Sequence, residues 1–84
     1  MNKKRFVKDR NKAFIKAVMY DDWASFLKFC EEYNLLIPAN VNILKAGVYK
    51  AVQQCSDISE DVKTTASIKC IDLGFNPFIN FEGE

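Results

Sequence analysis

The sequence predicts an all-α protein, a compact four-helix domain over residues 1–84 with helices at 6–20, 22–33, 40–55 and 60–73 and an extended apolar C-terminal tail. Three observations carry this. Apolar residues recur at spacings of three and four in four separate stretches. Those stretches are divided by residues that start or stop helices: Asp21-Asp22, Asn34, Asn40, Ser59 and Gly74. Strand-type alternation persists nowhere long enough to build a sheet. With 49% hydrophobic residues, a chain of 84 can close one core, burying roughly 60% of the surface it exposes when unfolded.

The first helix draws its apolar side from Val7, Phe14, Ala17, Val18 and Met19. Arg5, Lys8, Lys12 and Lys16 recur at three, four and four, which predicts one basic row on the opposite side. Asp21 or Asp22 can accept from the free N–H groups that open the second helix. Trp23, Phe26, Leu27, Cys30 and Tyr33 then form a broad apolar stripe, with Lys28, Glu31 and Glu32 toward water and Asn34 as a left-handed stop.

Leu35-Leu36-Ile37-Pro38 is a connection, because the residue before a proline is biased to extended geometry. Asn40 caps the third helix, whose core face holds Leu44, Val48, Ala51, Val52 and Cys55. Gly47 in its middle costs about 1 kcal/mol relative to alanine, which a close helix crossing would explain. Ser59, or the pair Asp57 and Glu60, caps the fourth helix, and Glu60 and Asp61 complement its dipole. Gly74 reads as the left-handed residue of a Schellman stop, Phe75 as its hydrophobic contact and Pro77 as a block to continuation. The expected core is Phe14, Val18, Trp23, Phe26, Leu27, Cys30, Leu44, Val48, Val52, Val62, Ala66, Cys70, Leu73 and Phe75.

Charge is unevenly placed. Residues 1–16 hold seven basic groups against Asp9, a net of +6, while the other 68 residues hold five basic and ten acidic groups, a net of −5. Such a basic end either meets nucleic acid or another acidic surface, or it lies against the acidic body of its own molecule. Cys30, Cys55 and Cys70 are odd in number, lack C-x-x-C or zinc spacing and fall on apolar faces, which reads as a reduced, cytoplasmic protein. No window approaches the ~20 apolar residues of a membrane span, and no apolar run of signal-peptide length follows the start.

The chemistry of catalysis is sparse. The chain has no histidine, its three glycines make no phosphate loop, and no cofactor, metal or small-molecule site is expected. The acid pairs Asp21/Asp22, Glu31/Glu32 and Glu60/Asp61 point about 100° apart on a helix and are explained by capping or solvation. The expectation is a protein that is not an enzyme.

Two alternative binding surfaces can be read from the sequence. Ile68 and Ile71 point away from the face made by Val62, Ala66, Cys70 and Leu73, and Phe78, Ile79 and Phe81 follow in the tail. The tail covers these isoleucines, or another protein or a second copy does, making a protein-binding or regulatory accessory module. The alternative is a small DNA- or RNA-binding protein using Arg5, Lys8, Lys12 and Lys16 for phosphates, with Lys45, Tyr49, Lys50 and Gln53 on the polar face of the third helix.

Ile58-Ser59-Glu60-Asp61-Val62-Lys63 through Leu73-Gly74-Phe75-Asn76-Pro77, with Ala46-Gly47-Val48 upstream, resembles the segment after the helix-turn-helix of LacI-type regulators. The recognition-helix pattern of that family is absent, so its DNA-contacting residues do not transfer. Asn11-Lys12-Ala13-Phe14, Tyr20-Asp21-Asp22-Trp23, Lys45 to Val52 and Leu73-Gly74-Phe75 together resemble small helical proteins of phages and conjugative elements of Gram-positive bacteria. That resemblance implies an accessory or regulatory role, including interference with a host protein.

Overall fold

The computed structural model describes residues 3–75. They form four helices, α1 (Lys3–Tyr20), α2 (Trp23–Glu32), α3 (Val41–Gln53) and α4 (Glu60–Asp72), with no strand among the described residues. The chain divides into two units, Met1–Ile37 and Pro38–Glu84. In the first α1 packs on α2, and in the second α3 packs on α4.

The first unit is a helical hairpin with a two-residue connection. α1 starts at Lys3, three residues earlier than its apolar pattern, because lysine and arginine sustain a helix and nothing in the segment breaks one. Asp21 takes a left-handed φ of 54°, and the Asp22 N–H reaches back to the Lys16 carbonyl at 3.1 Å. Asp22 is itself the N-cap of α2, so that helix opens at Trp23. Asn34 (φ 55°) closes it with a Schellman pair: the Asn34 N–H donates to the Glu31 carbonyl at 3.2 Å and the Leu35 N–H to the Cys30 carbonyl at 2.8 Å.

Rings fill this hairpin. Near the connection Trp23 meets Phe26 edge-on at 5.7 Å, and Phe26 stacks on Phe14 at 5.9 Å. Toward the open end Phe29 lies 5.7 Å from Phe6 and 5.1 Å from Tyr33, and Phe6 meets Tyr33 edge-on at 5.1 Å. The Tyr33 hydroxyl donates to the Asp9 carboxylate at 2.7 Å and ties the end of α2 to α1. This bond holds the phenol's pKa above its ordinary value, with burial and the Asp9 charge acting the same way. The core differs from the expected one: Phe29 is buried and Leu27 is exposed at 40%, while Trp23 is only half-buried. α2 turns Phe29 rather than Leu27 inward, beside Ala13 and against the Phe6 ring of α1.

The second unit is a hairpin with a six-residue connection. Asn40 caps α3, its Oδ1 accepting from the Ile43 N–H at 3.1 Å. Ala46, Val48, Tyr49, Val52, Val62, Ala66 and Cys70 are buried, together with Cys55 and Ile58 of the connection. Leu44, Leu73 and Phe75, expected in the core, are half-buried. Cys55 donates its thiol to the Ala51 carbonyl at 3.4 Å. α4 ends in a full Schellman motif: the Gly74 N–H donates to the Ile71 carbonyl at 2.9 Å and the Phe75 N–H to the Cys70 carbonyl at 3.1 Å, with Gly74 at φ 91°.

Two expectations fail here. Ser59 occupies the N-cap position of α4, but its side chain makes no capping bond. Gly47 marks no close crossing, since a Cβ built there meets nothing within 4 Å. α3 is shorter than its expected span at both ends, and α4 at its C-terminal end, because Asn40, Gln54 and Leu73 are caps.

Candidate functional site

Each hairpin carries one surface that its own packing leaves unused. In the second, Val62, Ala66 and Cys70 occupy one face of α4 at spacings of four and are buried. Ile68 and Ile71, three apart, stand on the other side at 56% and 61% exposure. A helix apolar on two sides has more hydrophobic surface than one neighbour covers. Val41 and Ile43, at the start of α3, are exposed as well. They lie toward the same end, because α3 runs back against α4: the Gln53 amide donates to the Lys63 carbonyl at 2.7 Å near the connection, and the Lys50 charge acts on the Cys70 thiol farther along. Phe78, Ile79 and Phe81 lie outside the described residues.

The polar face expected on α3 is not an open one. Tyr49 is 3% exposed, a correction to its placement there: it falls three residues from both Ala46 and Val52 and shares their buried face. Gln53 is half-buried and spends its amide on α4. Lys45 and Lys50 are half-buried and have partners of their own.

The basic row of α1 is exposed, and part of it faces α2. Arg5, Lys12 and Lys16 line an open groove of about 410 Å³ between α1 and α2, whereas Lys8, also exposed, lies outside it. From α2 the groove gains Lys28, which the sequence reading leaves as a solvated residue. Asp9 and Glu32 also line it, and Asp9 pairs with Arg5 at 3.7 Å. Four cations against two carboxylates leave a net of +2. Lys12 and Lys28 make no ion pair among the described residues. Phe29 and Ala13 form the floor and are buried, so the walls offer charge rather than apolar surface.

Asp22, at the closed end of this hairpin, has a settled structural task. Its carboxylate accepts from the Ser25 hydroxyl at 2.7 Å and from the Ser25 N–H at 3.1 Å. Those bonds hold its pKa below the ordinary carboxylate range, assisted by Lys16 and opposed by burial. Cys30, Cys55 and Cys70 are all free and buried, and burial pushes the Cys30 and Cys70 thiols up. Among the described residues, no cluster of three His, Cys, Asp or Glu side chains could hold a metal, and no helix is long and apolar enough to cross a membrane. Compared with family models, curated proteins and solved structures, the chain shows no match.

Proposed function

We propose that the chain is a non-enzymatic protein-binding module that presents the outer face of α4 to an aliphatic surface on another protein. The observation that carries this is the pair Ile68 and Ile71, held outward by a helix whose inner face is already filled. Covering the part of each that remains exposed would stabilise a complex by roughly 1–2 kcal/mol per side chain. The likeness to phage and conjugative-element proteins supports an accessory role on a host target, and three unpaired thiols fit a reducing cytoplasm.

A photo-crosslinking residue placed at position 68 of the full chain, in cells, tests the reading against the same residue at Lys8. The expected result is a discrete adduct to another polypeptide from position 68 only, lost when Ile71→Asp is added. A homodimeric adduct supports the reading in its self-associating form. An intramolecular adduct to residues 76–84, or adducts no different from those at Lys8, overturns it.

A further inference from the structure

We infer that Arg5, Lys12 and Lys16 of α1 with Lys28 of α2 hold the phosphodiester backbone of a nucleic acid, without reading its sequence. The geometry separates this site from a simple basic helix. The cations come from two helices and face one open groove, and one of them, Lys28, sits twelve residues away from the basic run. Lys8, which belongs to that run, does not take part.

The span fits the ligand. From Arg5 to Lys16 is eleven residues of helix, about 16 Å, comparable with roughly five phosphates along one strand of a duplex. The chemistry fits as well. Lysine is a point charge on a flexible stem, which suits phosphate oxygens and carries no base preference. Phe29, the only ring in the groove, is buried in the aromatic cluster and is unavailable for base stacking. An acidic peptide is disfavoured because protein partners anchor through apolar or aromatic side chains seated in pockets, and the apolar lining here is limited to the buried Ala13 and Phe29 and the stems of charged side chains. Asp9 and Glu32 moderate the field, so binding is weak and steeply dependent on salt.

The test is fluorescence anisotropy of the full chain with a random-sequence DNA duplex and a labelled single strand, over a salt series starting near 20 mM. With Arg5 paired to Asp9, the three lysines neutralise three phosphates, and the log–log salt slope on duplex is about −2.7, a loss of roughly 40-fold between 50 and 200 mM. Lys12→Gln with Lys28→Gln should weaken binding at least tenfold and bring the slope toward −1. Lys4→Gln with Lys8→Gln removes the same charge from exposed positions outside the groove and should change affinity less than threefold. Far-UV circular dichroism verifies that both pairs fold. Equal losses in the two pairs, no binding at low salt, or tighter binding to polyglutamate than to either nucleic acid would overturn the site. Ile68→Asp should leave the anisotropy unchanged, so this result and that of the α4 face are read separately.

Discussion

In the first hairpin the side chains that meet between helices are rings, with Phe6, Phe14, Phe26, Phe29 and Tyr33 in one connected series. In the second they are small: Ala46, Val48, Val52, Val62, Ala66 and Cys70, with Tyr49 the only buried ring among the described residues. Each ring buries a large area from a single position. A few rings therefore fill much of the first hairpin, and one side of α1 is left to Arg5, Lys8, Lys12 and Lys16. Small side chains each bury less, so α3 and α4 spend more positions on apolar residues and Ile68 and Ile71 are left outside. Both hairpins leave large apolar residues exposed, Tyr20 and Leu36 in the first and Ile68 and Ile71 in the second, so the contrast lies in the interiors and in the basic row that only α1 carries.

The comparison breaks most visibly at Phe29. Phe29→Ala should cost about 3–5 kcal/mol in urea unfolding, because the ring is packed against three others and the site cannot collapse around its loss. Val52→Ala, fully buried in the second hairpin, should cost roughly 2 kcal/mol. Equal losses would mean that the two interiors are not energetically distinct.

A smaller change, of opposite sign, belongs to the second hairpin. Gly47→Ala should stabilise by about 1 kcal/mol, since it removes a mid-helix glycine and its new methyl meets nothing within 4 Å. Destabilisation in the same urea titration would show that something closes on α3 at that point.

The smallest effects distinguish the caps. Asp22→Ala should lower the melting temperature by a few degrees, whereas Ser59→Ala should leave it unchanged, because of these two N-cap residues Asp22 makes a side-chain capping bond and Ser59 does not. The Asp22 contribution follows pH. Its folded pKa is depressed, so the stabilisation is complete above the unfolded carboxylate value and is lost as pH falls through the folded one. Melting curves of wild type and Asp22→Ala should therefore converge in acid. Tyr33 runs the other way: its pKa is raised, so its contribution is complete below about 10 and is lost as pH climbs through the folded value. Tyr33→Phe should flatten that alkaline loss.

What was legible in the sequence is what depends on neighbours along the chain. Asp22 and Asn40 as caps, and Asn34 and Gly74 as left-handed stops, are set by bonds three to five residues long. The exposure of Ile68 and Ile71 follows from their angle to Val62, Ala66 and Cys70 on the same helix. What was not legible depends on which face meets which. Leu27 and Phe29 are both apolar and two residues apart, and only the rings of α1 decide that Phe29 turns inward. Tyr49 looks polar beside Lys50 and Gln53, yet its place between Ala46 and Val52 buries it. Lys28 is an ordinary surface lysine on α2 until α1 is set beside it.

The buried thiols give each hairpin its own clock. A thiol shielded by packing reacts with an alkylating reagent only when its surroundings open. Cys30 reports on the ring-filled hairpin, and Cys55 and Cys70 on the aliphatic one. Peptide-resolved alkylation rates in the unaltered protein therefore measure the opening free energy of each hairpin separately.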